Sequence, residues 1–214
     1  MDKTSQKVAK ILLSIKAVSL SPKKPFKYSS GILSPVYTDC RILMAYPKER
    51  KIIRDLYIKE IAKLGSIDLI AATATAGIPH AAWIADKLNL PMVYVRGSAK
   101  DHGKGNQIEG IVKKGQKAVV VEDLISTGES AATTANATRG AGAKISHIIA
   151  IITYGMKKSQ NNFTANKLKL ITLTTFQDVV EVAQKMGYIN KEEMPIILEW
   201  TKDPPTWGKN QGFE

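Results

Sequence analysis

Residues 119–130 read VVVEDLISTGES, an apolar stretch followed by two acids, a short turn and the start of a helix. The valine run predicts a buried strand over residues 117–121. Small and hydroxyl-bearing residues at 126–128 let backbone N–H groups approach an anion, and the following helix points its positive end at the same place. Glu122 and Asp123 need hydroxyl donors, cations or a metal if they are buried. An anion site beside paired carboxylates suits a sugar phosphate such as ribose 5-phosphate.

Short apolar strands alternate with helices along the rest of the chain. The predicted strands cover residues 67–72, 92–96, 117–121, 144–154 and 167–173, and the predicted helices cover residues 4–18, 47–64, 78–88, 129–139, 175–186 and 191–200. Such alternation is typical of a parallel sheet covered on both faces, with ligands bound beyond the carboxyl ends of its strands. We therefore expect the site in the loops after residues 72, 96 and 121. Residues 26–46 are predicted as loops or short strands, and residues 201–214 as irregular coil.

The composition excludes several classes of protein. With 214 residues, 44% hydrophobic and 23% charged, the chain is neither collagen-like nor disordered. No apolar run approaches the roughly 20 residues that span a bilayer, and the single cysteine, Cys40, excludes an internal disulfide or a cysteine-based zinc site. We expect a cytoplasmic protein with no membrane partner. The net charge of +12 leaves two readings open, a polyanionic partner or a general lysine bias.

Three segments together resemble the orotate phosphoribosyltransferases, which are type I phosphoribosyltransferases. VVVEDLISTGES is similar to the motif that binds phosphoribosyl pyrophosphate, YVRGSAKDHGKGNQIEG at 94–110 to the mobile catalytic loop, and FKYSSGILSPVYTDCR at 26–41 to the amino-terminal substrate segment. With TATAGIP at 73–79, the resemblance spans about residues 5–155. It implies an α/β fold, with a central parallel sheet flanked by helices and a small hood built from the amino-terminal segment.

The resemblance also implies an organisation and a reaction. Residues 1–46 would form the amino-terminal helix and hood, residues 47–175 the phosphoribosyl pyrophosphate-binding core, and residues 176–214 carboxy-terminal helices and a tail that pack on the core or hood. The implied reaction transfers ribose 5-phosphate from Mg²⁺-bound phosphoribosyl pyrophosphate to orotate, giving orotidine 5′-monophosphate and pyrophosphate in pyrimidine synthesis. The implied assembly is a homodimer with shared active sites, and its partners are small molecules rather than nucleic acid.

Individual residues take implied roles by matching the family's motifs. Lys100, Glu122 and Asp123 are the implied catalytic residues, and the two acids would hold the ribose hydroxyls. The implied 5′-phosphate cradle is Leu124, Ile125, Ser126, Thr127, Gly128, Glu129 and Ser130, of which Ser126 would also touch the pyrimidine. The implied pyrophosphate contacts are Arg96, Lys100, His102 and the turn Thr73, Ala74, Thr75, Ala76 and Gly77. Ser29 and Tyr37 complete the substrate-binding set, and no residue is assigned as a direct metal ligand.

Three positions depart from the family's pattern. Ser29 stands where many orotate enzymes have Lys, Gly97 where many have a second basic residue, and residues 153–155 where some have an Arg that pairs with the carboxylate of orotate. That carboxylate still needs a cation on charge grounds. Arg41 and Lys27 are the nearest candidates by segment.

Two alternative functions remain open at this point. One is a phosphoribosyltransferase for another base, although the S-G-x-x-S-P-x-Y pattern at 30–37 favours orotate over purines. The other is a regulator that keeps the fold as an effector sensor and binds nucleic acid, which the net charge of +12 would suit. The presence of Arg96, Lys100 and His102 argues against a regulator, and no basic helix-turn-helix is visible.

Overall fold

The computed structural model describes residues 1–97 and 107–213. In chain order its strands are β1 (Val18–Leu20), β2 (Phe26–Lys27), β3 (Leu33–Ser34), β4 (Val36–Thr38), β5 (Leu69–Thr73), β6 (Met92–Val95), β7 (Ile108–Glu109), β8 (Lys117–Ile125), β9 (Lys144–Thr153) and β10 (Lys169–Thr175). Its helices are α1 (Lys3–Ser14), α2 (Pro47–Ala62), α3 (Gly77–Leu88), α4 (Glu129–Gly140), α5 (Lys157–Ala165), α6 (Phe176–Lys185), α7 (Glu193–Glu199) and α8 (Pro204–Asn210), with a 3₁₀ helix at Cys40–Ala45.

A six-stranded sheet forms the centre of the molecule. Its strands lie in the order β10, β9, β8, β5, β6 and β7. The first five are parallel to their neighbours, and β7 pairs antiparallel with β6 at the edge. This confirms the predicted parallel sheet, and it brings the carboxyl ends of β5, β6 and β8 to one edge.

Helices cover both faces of the sheet. Helices α1, α2, α3 and α6 pack on one face, and α4 and α5 pack on the other. Val119 and Val121 belong to the first core and Val120 to the second, because successive side chains of a strand point to opposite faces. A strand buried on both sides explains the unbroken apolar run that predicted it.

Among the helices of residues 1–97 and 107–213, none combines the length and the apolarity needed to cross a bilayer.

The amino-terminal segment rests on the carboxy-terminal helices. Strands β2 and β3 form an antiparallel hairpin, and β1 pairs antiparallel with β4. The indole Nε1 of Trp200 donates a hydrogen bond to the carbonyl oxygen of Leu33, at 3.2 Å. Gly208 in α8 also lies against Leu33, so closely that an added Cβ would sit 2.9 Å from the leucine side chain. Two segments far apart in sequence therefore form one unit above the sheet.

Three helices differ from the sequence prediction. The helix predicted for residues 4–18 ends at Ser14, and β1 begins at Val18. The coil predicted for residues 201–214 is wrong, because α8 begins at Pro204 and buries Trp207, whose Nε1 donates to the carbonyl oxygen of Ile196 at 2.9 Å. A proline in the first turn of a helix is a normal start. Helix α5 was not predicted, because its polar sequence KKSQNNFTA buries only Ser159 and Phe163 and so lacks an apolar period.

Candidate active site

Strand β8 extends to Ile125, four residues beyond the end predicted at residue 121. Its last residues continue to pair with β9, where Glu122 lies opposite Ala150. The two acids are therefore held in a hydrogen-bonded ladder rather than in a loop. Glu122 is 6% exposed, and Asp123 is half-buried. This backbone fixes both carboxyl groups at the edge where the sequence predicted a ligand.

A cavity of about 240 Å³ opens beside the two acids. It lies between the ends of β5 and β8 and the start of α4, and both predicted turns line it, with residues 73–76 on one side and residues 122–130 on the other. Gly77 is not among its lining residues. The structure thus brings together most of the predicted phosphate and sugar contacts around one space.

The turn into α4 has the geometry of an anion site. Gly128 adopts φ +77° immediately before the helix, and an added Cβ would meet the ring of Phe163 at 2.7 Å, so glycine is required there. No side chain among the described residues caps the start of α4, which leaves its first N–H groups facing the cavity. The carbonyl oxygen of Thr127 points the other way and accepts a hydrogen bond from Asn162 Nδ2 at 2.8 Å. An anion would meet donors here.

The turn after β5 approaches the acids from the neighbouring strand. Gly77, the first residue of α3, lies so close to β8 that an added Cβ would sit 2.7 Å from the carbonyl oxygen of Val121. The absence of a side chain at Gly77 therefore allows α3 to begin against β8. The peptide bond between Ala74 and Thr75 is cis. The result is a short turn of small residues whose backbone faces the same space as Glu122.

Burial dominates the electrostatics of Glu122. It raises the pKa of this carboxyl well above its usual range; the neighbouring Asp123 raises the pKa further, and the Thr73 hydroxyl opposes the shift. Beneath the site, the Tyr57 hydroxyl donates to the carbonyl oxygen of Glu122 at 2.5 Å. His80 stacks on Tyr57 with ring centroids 6.3 Å apart, and burial lowers the pKa of His80 to about 4. The His80 imidazole beneath the site is therefore neutral at pH 7, and burial favours the uncharged form of the Glu122 carboxyl.

Arg96 borders a second cavity of about 240 Å³. This space adjoins the first and shares lining residues of both turns with it. Arg96 follows β6, and its guanidinium Nη1 lies 3.9 Å from a carboxylate oxygen of Glu109. The other two predicted cations, Lys100 and His102, lie outside the described residues. One predicted cation thus borders the space next to the acids.

Tyr28, Ser29 and Tyr37 of the amino-terminal segment differ in whether they line a cavity. Ser29 is exposed and Tyr37 is 45% exposed, and neither lines the cavities beside the acids. Tyr28 instead lines a third cavity of about 380 Å³, which shares Ser126 and Thr127 with the cavity beside the acids. The aromatic character of the segment YSSG is the signal that could have identified Tyr28.

Comparisons with known proteins identify the family to which the chain belongs. The family model for the phosphoribosyl transferase domain matches residues 42–186. A curated orotate phosphoribosyltransferase from Listeria innocua is 50% identical over 205 residues, which cover 95% of this chain and 98% of the relative. The crystal structure of orotate phosphoribosyltransferase from Aeropyrum pernix matches with a TM-score of 0.73 and 29% identity, covering 86% of this chain and 99% of that one.

The same fold also occurs in an enzyme named for a different base. The crystal structure of adenine phosphoribosyl transferase from Trypanosoma brucei matches with a TM-score of 0.62 and 20% identity, over 83% of each chain. At that identity the match shows the fold alone. The assignment within the family therefore depends on the half-identical relatives, whose similarity covers nearly the whole chain. The chain belongs to the phosphoribosyltransferase family and, within it, to the orotate phosphoribosyltransferases.

Proposed function

We propose that the protein transfers ribose 5-phosphate from phosphoribosyl pyrophosphate to orotate, giving orotidine 5′-monophosphate and pyrophosphate in pyrimidine synthesis. The main structural support is the position of Glu122 and Asp123 beside an uncapped helix start, in one cavity of about 240 Å³. That arrangement offers acceptors for a diol and donors for a phosphate in a single cavity. The half-identical relative from Listeria innocua is named for the same reaction.

The two acids would bind the sugar. The backbone N–H of Asp123 already donates to Glu122 Oε1 at 3.1 Å, and ribose hydroxyls would add further donors, so binding the sugar favours the ionised form of Glu122. Asp123, half-buried beside it, adds a second acceptor. As the bond to pyrophosphate breaks, positive charge develops on the anomeric carbon, and fixed carboxylates stabilise that charge electrostatically.

The turn at residues 126–128 would hold the 5′-phosphate. Ser126, Thr127 and the first residues of α4 line the cavity, and no side chain among the described residues caps that helix start. Glu129 carries negative charge at this end of α4, and Lys158 lies 2.6 Å from it and neutralises that charge. An incoming phosphate therefore meets hydrogen-bond donors and the positive end of a helix dipole.

Pyrophosphate would lie between the turn at residues 73–76 and Arg96. The small side chains of that turn let its backbone approach a bulky anion, and a guanidinium can bind two phosphate oxygens at once. By resemblance, Lys100 and His102 would add positive charge to the leaving group, and Lys100 is the proposed catalytic cation. Concentrating positive charge there favours departure of pyrophosphate.

Mg²⁺ would arrive with phosphoribosyl pyrophosphate. Within residues 1–97 and 107–213, no group of three or more acidic, His or Cys side chains could form a metal cage. Mg²⁺ usually keeps several waters and binds one or two carboxylates together with substrate phosphates, and Glu122 and Asp123 fit that mode. When bound, the ion neutralises charge on the pyrophosphate.

The organisation of the enzyme completes the proposal. By resemblance, it acts in the cytoplasm as a homodimer whose partners share active sites. The proposed division into hood, core and tail at residues 46 and 175 is supported by the positions of both boundaries between elements, since α2 begins at Pro47 and α6 at Phe176. Light scattering would give the mass in solution, and mixing two differently inactivated variants would test shared sites by recovery of activity.

The activity itself is tested by spectroscopy. With phosphoribosyl pyrophosphate and Mg²⁺, the purified protein is expected to consume orotate, and the absorbance of orotate should fall. Omitting Mg²⁺ or phosphoribosyl pyrophosphate should abolish the change. Turnover of a purine base with no change in orotate would overturn the proposal in favour of another base.

A further inference from the structure

A fourth cavity, of about 530 Å³, lies at the opposite end of the strands from the two acids. The first residues of β8 and β9, the end of α4 and the segment between α2 and β5 line it. Because β8 and β9 are parallel, the cavity adjoins the amino ends of both strands. From Lys117 to Glu122 along β8 the distance is about 16 Å at the usual rise of a strand. A molecule held at these amino ends therefore lies apart from the site proposed for phosphoribosyl pyrophosphate.

Positive charge dominates the lining of this cavity. No Asp or Glu of the described chain lines it, and its basic residues are Lys117, Arg139, Lys144 and His147. Lys117 and Lys144 are exposed, and neither forms an ion pair within the part of the chain that the structure describes. Asp68 lies nearby, and its Oδ2 accepts a hydrogen bond from the backbone N–H of Lys117 at 2.9 Å. Three permanent cations outnumber this acid, so the cavity attracts anions.

The two lysines lie directly opposite each other in the sheet. Lys117 of β8 and Lys144 of β9 are Cα partners in the parallel ladder. His147 of β9 and Lys169 of β10 are partners in the next ladder. Like charges at opposed positions of neighbouring strands repel and destabilise the pairing. An anion that contacts both ammonium groups would relieve this repulsion.

Arg139 contributes fixed charge to the cavity. Its Nε and Nη2 donate to the carbonyl oxygen of Ile145 at 3.0 and 2.6 Å, and its Nη1 donates to that of Asn166 at 2.8 Å. Its other acceptors in the described chain are also carbonyl or amide oxygens, which do not neutralise the guanidinium. The donors left for a ligand are the two lysine ammonium groups and the hydroxyl of Ser66, an exposed residue of the lining.

A β-bulge shapes one wall. Between its pairings with Ala118 and Val120 of β8, strand β9 has one residue more than β8, and this bulge includes Ser146 and His147. Successive side chains of a regular strand point to opposite faces, but both of these adjacent residues line the cavity. Ser146 Oγ and His147 Nδ1 lie 2.8 Å apart. Bulges re-aim side chains and are frequent beside functional sites.

The remaining walls are apolar. Leu64 and Ile67 line one side, and Ile145 lies at the start of β9. A volume of about 530 Å³ falls within the range of about 300–1,000 Å³ that is typical of small-molecule pockets. The lining therefore matches a molecule that combines a phosphate group with a larger, less polar body.

We propose that this cavity binds a small phosphate ester of the nucleoside monophosphate class, as a second ligand of the protein. The phosphate contacts Lys117 and Lys144, and the nucleoside lies against Leu64, Ile67 and Ile145. The site uses none of the residues assigned to the transfer reaction, so the inference stands or falls independently of the proposed function.

The ring signals of His147 in NMR spectra report binding at this cavity, because His80 does not line it. Adenosine 5′-monophosphate is the probe, and His147→Gln assigns the signal. Titration of the full chain is expected to shift the His147 signal saturably. Adenosine, which lacks the phosphate, and inorganic phosphate, which lacks the nucleoside, are each expected to bind at least about tenfold more weakly. A His147 signal that does not respond to the nucleotide would overturn the inference, as would equal affinity for the nucleotide and for either fragment.

Charge-removing variants test the two lysines. Lys117→Met and Lys144→Met keep most of the side-chain stem, and each is expected to weaken binding of the nucleotide at His147 at least about tenfold. Each variant also removes a like-charge pair, so neither is expected to unfold more readily than the unaltered protein. Lys51→Met, at an exposed lysine of α2 that does not line the cavity, is the matched control and should stay within about twofold. Unchanged affinity in both cavity variants would overturn the assignment of the phosphate contacts.

A short single-stranded oligonucleotide distinguishes a small ligand from nucleic acid. Its phosphates are diesters, and a chain of nucleotides does not fit within one cavity of this volume. At equal phosphate concentration and constant salt, it is expected to leave the His147 signal of the bound mononucleotide unchanged. Displacement of the mononucleotide by the oligonucleotide would overturn the proposal in favour of a nucleic-acid surface.

Discussion

The side-chain hydroxyl of Tyr57 donates a hydrogen bond to the backbone carbonyl oxygen of Glu122, at 2.5 Å. Tyr57 lies in α2 and is fully buried, so a helix on one face of the sheet holds the strand at the point where the acids project. The position of the carboxylates therefore depends on packing beneath the cavity as well as on the strand ladder. This contact can be removed without changing any group that faces the ligand.

Tyr57→Phe is expected to destabilise the protein by about 1–2 kcal/mol, because it leaves a buried carbonyl without its donor. The free energy of unfolding in urea measures this effect. Tyr188→Phe, at a tyrosine that is 55% exposed, is the control and should leave stability unchanged. Equal unfolding midpoints for Tyr57→Phe and the unaltered protein would contradict the structural role.

Glu122→Gln and Asp123→Asn are each expected to lower kcat about 10²-fold or more, because each removes an acceptor and a negative charge beside the developing cationic carbon. The Gln variant should remain folded, since an amide replaces an acid whose pKa is already raised by burial. Steady-state kinetics and circular dichroism check both points. Glu192→Gln, an exposed acid outside the cavities, should retain full activity.

Gly128→Ala is expected to cost about 2–3 kcal/mol of stability and to raise the KM for phosphoribosyl pyrophosphate. Its Cβ would combine a positive φ with a 2.7 Å approach to Phe163. Gly65→Ala is the matched control, since Gly65 has φ +79° with no atom within 4 Å of the added Cβ. It should therefore show only the backbone penalty of about 1 kcal/mol. Equal losses in the two variants would show that crowding against Phe163 contributes nothing.

His80 predicts a pH dependence of stability. Burial lowers its pKa from 6.5 to about 4, so between these values the unfolded chain binds more protons than the folded one. The stability contributed by neutral His80 is complete above about pH 6.5 and is lost as the pH falls toward 4. The difference in unfolding free energy between the protein and His80→Gln should therefore grow by about 1–3 kcal/mol from pH 4 to 6.5. A constant difference over that range would contradict it.

The sheet, and the part of the site formed by Glu122 and the turn before α4, could be predicted because neighbouring residues in the sequence determine them. An apolar run such as KAVVV predicts a strand that is covered on both faces. In the sequence, the strand is followed by two acids, a turn of small residues and a helix, and this order fixes the position of Glu122 relative to Gly128. Strand β8 proved longer than predicted because β9 supplies a pairing partner for its polar end. Because β9 lies elsewhere in the sequence, the residues of β8 alone do not show that β9 will pair with them.

The third cavity could not be predicted, because its walls come together only in three dimensions. Tyr28 and Trp200 are far apart in the chain, and their edge-to-face contact depends on the docking of the hood hairpin against the carboxy-terminal helices. The segment after Trp200 was predicted as coil, although Trp207 anchors it as α8. Lys157 begins a helix that has no apolar period. Local pattern indicates which residues form elements, and long-range packing decides which of them border a ligand.

The contact between Trp200 and Leu33 joins the two flanking segments of the chain. Neither segment contributes a residue to the strand that carries the two acids. An engineer who shortens either terminus should therefore expect the opposite terminus to loosen, because each serves as a packing partner of the other.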